Sequence, residues 1–396
     1  IEIVGNHILG SRMGGTDEYG YGIVVFSSSD ILIHGNYSEK NENIGIYVSK
    51  SSGVVQNNVV EWSVEGLRLS DSPHPESDQP DDLVLVHNNV LELNFDSGIK
   101  VLSSDASISG NVVANTLAFP GDELAAADGL VVGSLAIEEG ERRPSSVVIG
   151  EQAEESGNVF GGNARAGILI TDNANVASLS SNLVEANLGR GIWLQKESTV
   201  LEAVNNSVLD NHLLGLGLAG NSSINLGSDA QEDSNEIMGT LAAPVLLMGL
   251  TVDIGDGVGI FSGSSASVRN NIISGNDRAG LVADHANAEN VVVKNNLVSG
   301  AEYDIVLAGQ TEGLIPAANV LDNSCDSEGT PATVDDYEEE SLLPIPENAV
   351  GMYEAKGMYE SKGMYETEGM YETEGMYETK GMYETEGMYE TEGMYE

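Results

Sequence analysis

Arg68 and Lys100 offer the clearest chemistry in this chain, because they occupy equivalent places in successive copies of one short pattern. GLRLS starts at Gly66 and GIKVL at Gly98, and the preceding copy, GIYVS at Gly45, puts Tyr47 at the same place. Strand alternation sends the three side chains to one outer face. Two stacked cations can neutralise the carboxylates of an acidic polymer, and a tyrosine ring offers a platform for a sugar. Directly after Arg68 the segment 70–82 (SDSPHPESDQPDD) brings in Asp71, His74, Glu76, Asp78, Asp81 and Asp82. Of these, Asp71, Asp78, Asp81 and Asp82 supply the hard oxygen donors that Ca²⁺ takes, and Ca²⁺ is the one cofactor expected. The same residues also read as plain surface, with solvated cations offsetting nearby acids and 70–82 as a Pro-rich loop.

What must position them is a repeat. The unit of Gly followed by alternating apolar residues recurs at Gly22, Gly45, Gly66, Gly98, Gly129, Gly167, Gly191, Gly215, Gly259 and Gly280. A second unit begins with Asn, often with another Asn five positions on, as in Asn36/Asn41, Asn89/Asn94, Asn158/Asn163, Asn182/Asn187, Asn206/Asn211 and Asn271/Asn276; Asn6, Asn58, Asn111 and Asn296 are further members. Spacings of 22 (36 to 58, 89 to 111) and 24 (158 to 182, 182 to 206) are too short for a propeller blade. The apolar period is two and Val/Ile-rich, which means strand. A coil of three short strands per turn fits. Each coil buries its apolar side only against its neighbours, and an Asn column at a turn lets side-chain amides hydrogen-bond up and down the stack. Asn and Gly also tolerate the left-handed backbone of tight turns.

These units resemble the right-handed parallel β-helix repeats of the pectin-lyase-like superfamily, over roughly residues 1–325. The resemblance implies an all-β fold, a single-stranded right-handed parallel β-helix of about 11 coils, each about 4.8 Å thick and together roughly 50 Å long. It does not imply one activity, because that superfamily holds lyases, hydrolases, epimerases, adhesins and non-catalytic members. Lyases of this kind remove the proton α to a carboxylate with a basic residue while Ca²⁺ or Arg stabilises the enolate. That would cast Arg68 or Lys100 as the base. The Asp-Pro-His-Asp run of the alginate epimerase branch is absent from the sequence.

Along the coils the expected outward column is Val24, Tyr47, Arg68, Lys100, Val131, Leu169, Trp193, Gly217, Phe261, Val282 and Val306. Its apolar stretch calls for cover by loops or a partner. Trp193 could stack a sugar or fill a groove under an insertion. Asp122, Glu123 and Asp128 could supply a glycosidase-like carboxylate pair. The six His show no metal-binding spacing.

Composition bounds the partners. The 396 residues carry 63 acidic and 16 basic side chains, a net charge of −47. That excludes nucleic acid and anionic membrane surfaces as expected partners. The lone Cys325 cannot form a disulfide within the chain, and no apolar run approaches the roughly 20 residues of a membrane span. Residues 351–396 are a hexapeptide array, GMYExx, with 8 Met and 8 Tyr. Residues 326–350 hold three Pro and the acidic run around Asp335–Glu340. We therefore expect a β-helix over 1–325, an acidic linker over 326–350 and a disordered acidic tail over 351–396. The chain opens inside the repeat, with no signal peptide or polar cap in view, so a longer parent is expected.

The functional expectation is a secreted or cell-surface β-helix that binds polysaccharide through Tyr47, Trp193 and the stacked cations. Two alternatives stay open, a non-catalytic structural or adhesive rod and a Ca²⁺-dependent polyuronate lyase. Oligomeric state is not set by the sequence.

Overall fold

In Gly66-Leu67-Arg68-Leu69, Leu67 and Leu69 are fully buried while Arg68 points outward, and this alternation generates the whole architecture. A computed structural model describes residues 1–13, 19–72, 83–118, 126–135, 143–151, 157–247, 250–308, 315 and 319–325. The described strands belong to one of the chain's two contact units, Ile1–Glu123 with Ala127–Val350. They form three parallel sheets, and each strand pairs with the strand three places later in sequence, or four places later where the extra strand Ala243–Leu247 intervenes. Each sheet has 12 strands, and in the third 11 of them run parallel while Ala243–Leu247 pairs antiparallel beside the path. The expected right-handed parallel β-helix is thus the fold. The linker and the GMYExx tail lie outside the described residues. Among the described residues no helix is long and apolar enough to cross a membrane.

Two columns of small polar residues hold the corners. The asparagine ladder is unbroken. Asn6 Nδ2 donates to Asn36 Oδ1 at 3.0 Å, and the chain of amides continues through Asn58, Asn89, Asn111, Asn158, Asn182, Asn206, Asn235, Asn271, Asn296 and Asn323 at 2.8–3.1 Å. Asn235 and Asn323 were not anticipated. The residue before a ladder Asn often carries the left-handed turn, as Asn57 does with φ +54° and Asn205 with φ +57°. A serine column, also unanticipated, stitches another corner. There the backbone N–H of Ser51, Ser72 and Ser104 donates to the hydroxyl of Ser72, Ser104 and Ser145 at 3.0–3.2 Å.

A glycine column makes the corner that opens the third sheet. Built on Gly66, a Cβ would lie 2.5 Å from the Gly98 carbonyl oxygen, and on Gly129 it would lie 2.6 Å from that of Gly167. Only a residue without a side chain lets successive coils close up there. Because Gly66 and Leu67 both turn inward, the residue before the glycine, Glu65, is left on the outer face three positions from Arg68.

The outward column of the third sheet reads Val24, Tyr47, Arg68, Lys100, Val131, Leu169, Trp193, Gly217, Gly259, Val282, Val306. Gly259, and not Phe261, occupies its place, because Val258 and Ile260 are the core residues of that coil. The corner glycine there is Gly257, which stacks on Gly280. The column changes character after Lys100. From Val131 onward it belongs to a second apolar cluster with Trp193 and Phe261. The antiparallel hairpin of Ala243–Leu247 with the first half of Leu250–Phe261 contributes Ile254 to that cluster and packs Val245 and Val252 against it. The chain itself therefore supplies cover for this part of the face.

Candidate functional site

Tyr47, Arg68 and Lys100 are direct register neighbours on strands Ile44–Ser49, Glu65–Ser70 and Ser97–Leu102. The spacing of the GIxV units therefore does bring them together, but the three side chains have different fates. Tyr47 is half-buried and continues an aromatic strip. Its ring centroid lies 5.5 Å from that of Tyr21, which lies 5.8 Å from that of the exposed Tyr19. On its other side the Arg68 guanidinium stands 5.9 Å from the Tyr47 ring. Arg68 is 24 % exposed, with Nε donating to Ser70 Oγ at 3.2 Å and a guanidinium nitrogen 3.6 Å from Glu65 Oε1. Burial is the main reason the Tyr21 hydroxyl is pushed above its usual range, with Tyr47 adding to it and Arg68 opposing.

Lys100 differs from the expectation of an outward cation. Its side chain is 1 % exposed, and Nζ donates to Glu65 Oε1 at 2.7 Å and to Asp96 Oδ2. The physical reason is the corner geometry. Glu65 precedes the turn of its own coil and Asp96 the turn of the next, so both carboxylates flank the lysine and draw its ammonium down onto the sheet. The two acids are driven apart. Burial pushes Glu65 upward, but Arg68 and then Lys100 outweigh it and hold that carboxyl below its usual range. Burial pushes Asp96 up, and the charges of Glu65 and Asp128 add to the rise, so its net direction is upward despite Lys100.

Trp193 is 6 % exposed. Its ring lies against Gly217, where a Cβ would come within 2.5 Å of Cζ3, and it carries the Arg190 guanidinium 4.3 Å from its centroid. Its Nε1 donates to Gln195 Oε1 at 3.0 Å. The groove-filling alternative describes it, and no open face is presented to a sugar. Asp71 is half-buried in a left-handed corner with φ +50°, its backbone N–H donating to the Leu102 carbonyl at 3.1 Å. Asp78, Asp81 and Asp82 lie outside the described residues, as do Asp122 and Glu123. Asp128 is fully buried against Arg165, whose Nε donates to Asp128 Oδ1 at 2.8 Å. Among the described residues no three His, Cys, Asp or Glu side chains converge to hold a metal.

Sequence reasoning missed Glu65, Asp96, Tyr21 and the paired Asp256 and Arg278. For Glu65, Asp128 and Asp256 a signal existed, because each immediately precedes a corner glycine.

Residues 1–117 match the family described as Right handed beta helix region. No curated protein matches the chain. Among solved structures, the A-module of mannuronan C-5 epimerase AlgE6 from Azotobacter vinelandii is similar, at 13% identity over 76% of this chain and 65% of that one, with a TM-score of 0.40. The A-module of mannuronan C-5 epimerase AlgE4 from the same organism is similar at 15% identity over 77% and 64%, with a TM-score of 0.36. The chain spans just under two-thirds of the length of either module.

Proposed function

From the premise that this chain is a right-handed parallel β-helix repeat protein, we propose that it binds an acidic polysaccharide at the cell surface or outside the cell. The observation that carries this reading is the strip Tyr19, Tyr21, Tyr47, Arg68, whose neighbours stand 5.5–5.9 Å apart. Successive sugar rings can lie on successive tyrosines, and a guanidinium meets a uronate carboxylate with two parallel hydrogen bonds. Ca²⁺ belongs to the reading as a bridge between the acidic polymer and a chain of net charge −47, with Asp71, Asp78, Asp81 and Asp82 as its donors. Bond cleavage finds less support, because the ammonium of Lys100 faces two carboxylates and not solvent.

The unbroken asparagine ladder favours a second reading, a non-catalytic structural rod. Calorimetric titration of the full chain with acidic and neutral polysaccharides, with Ca²⁺ and with chelator, separates the two. Saturable binding of an acidic polymer, strengthened by Ca²⁺, is the expected result. The absence of binding to every polymer in both conditions would leave the rod.

A further inference from the structure

Among the described residues Lys100 is the one ion-paired cation that is itself wholly buried, and it is a lysine among arginines. The comparable buried acids, Asp128 and Asp256, each face one arginine whose side chain keeps 13 % and 21 % of its surface exposed. Arginine stays protonated in such a place, whereas a lysine can release a proton and become a nucleophile. Lys100 Nζ touches Asp96 Oδ2 and lies 2.7 Å from Glu65 Oε1. Asp96 Oδ1 and Glu65 Oε2 are buried with no hydrogen-bond partner among the described residues. The cluster thus holds an amine against one carboxyl, with a second carboxylate within hydrogen-bond reach of the same amine.

We propose that Lys100 and Asp96 become joined by an isopeptide bond that the folded chain forms itself, with Glu65 carrying the proton. Transfer of a proton from the ammonium to Asp96 gives a neutral amine beside a neutral acid, which a buried site favours over two charges. The Nζ lone pair then attacks Asp96 Cγ. One Nζ proton passes through Glu65 to the leaving hydroxyl, the Cγ–O bond breaks, and one water departs. No oxidant, cofactor or co-reactant enters, and the fold supplies proximity. Arg68, 3.6 Å from Glu65, keeps that carboxylate ionised as the proton carrier, and burial raises Asp96 toward its protonated form. The product also simplifies the charges. Before the reaction the cluster buries the charges of Lys100, Asp96 and Glu65 beside Arg68, and the bond removes those of Lys100 and Asp96 while the Glu65–Arg68 pair stays.

The test is the intact mass of the full chain together with a tryptic map of the denatured protein. The expected result is a mass lower than that of the sequence by one water, no cut after Lys100, and fragment ions that place the link between Asp96 and Lys100. Lys100→Arg and Glu65→Gln should each restore the mass of their own sequence. A succinimide at Asp96-Ser97 would also lose one water, but it would leave the cut after Lys100 and would survive in Lys100→Arg; that pattern overturns the proposal. So does a wild-type chain at its full sequence mass that trypsin cuts after Lys100. The wild-type map decides even where a variant does not fold.

Discussion

Gly66 packs against the backbone of Gly98 so closely that a Cβ on Gly66 would lie 2.5 Å from the Gly98 carbonyl oxygen and 2.9 Å from Leu91 Cδ2. The outer face depends on this contact, because the inward turn at Gly66 is what leaves Glu65 and Arg68 side by side outside. Gly66→Ala should therefore destabilise the chain by about 1–3 kcal/mol, since the obstacle is backbone and cannot move aside. Gly35, with φ +62° and open space for 4 Å around the place a Cβ would take, should lose only about 1 kcal/mol of backbone strain on change to Ala. Urea unfolding of both variants checks the order, and a smaller loss for Gly66→Ala would contradict it.

Asn182 accepts from Asn158 Nδ2 at 2.8 Å and donates to Asn206 Oδ1 and the Ile149 carbonyl at 3.0 Å. Asn182→Ala strands buried groups on both neighbouring coils. Each group left unpaired costs about 1–3 kcal/mol. Asn225, exposed and holding one bond to the Leu201 carbonyl, should tolerate the same change with a loss under about 1 kcal/mol. Thermal melts of the pair give the comparison, and equal losses would mean the ladder is not a main source of stability.

Acid should stabilise this protein over part of the range. Burial pushes Asp256 and Asp284 above the usual carboxylate range, in spite of Arg278 and His285 respectively. The folded state therefore keeps these protons to higher pH than the unfolded state does. Their contribution is full below the ordinary Asp pKa of about 4 and is lost as pH rises through the raised folded values. Repulsion within a chain of net charge −47 acts in the same direction. Glu39 runs opposite, held low first by its hydrogen bond to His7, but an exposed pair adds little. The melting temperature should rise as pH is lowered from 8 toward 5. A monotonic fall over that interval would contradict the assignment.

Salt tests the same repulsion. At about 0.15 M the screening length is roughly 8 Å, so added NaCl should raise the melting temperature. A decrease would show that exposed ion pairs such as Arg269–Asp229, at 2.7 Å, outweigh self-repulsion.

Much of the fold was legible because its stacking contacts use few side-chain types. A ladder amide must be Asn to reach both neighbours, so Asn158, Asn182 and Asn206 stood out at regular spacing. Asn235 and Asn323 escaped that spacing, although the steps before them, 29 and 27 residues, are no longer than those before Asn36 and Asn89, 30 and 31. The misplaced Phe261 has a physical cause. Gly257-Val258-Gly259-Ile260-Phe261 offers two glycines two residues apart, and alternation alone cannot choose between frames of equal parity. The stacking of Gly257 on Gly280 chooses. The site was half legible. Register predicted that Tyr47, Arg68 and Lys100 would be neighbours, but the burial of Lys100 depends on Glu65 and Asp96, whose outward direction is set by the corner and not by the strand period. The contact of Tyr21 with Tyr47 joins successive strands of the third sheet at a point where Tyr21 precedes its strand, so no periodic argument reaches it.

The central claim is that an acidic polysaccharide lies on the tyrosine–arginine strip, and the most direct measurement compares its affinity for the full chain with that for Tyr47→Ala and Arg68→Ala. Both side chains are partly exposed, so both variants should melt within a few degrees of the parent. Each should bind about tenfold more weakly or worse, the loss expected when a contact worth about 1.4 kcal/mol is removed. Unchanged affinity in both well-folded variants would contradict the account and move any binding away from this face.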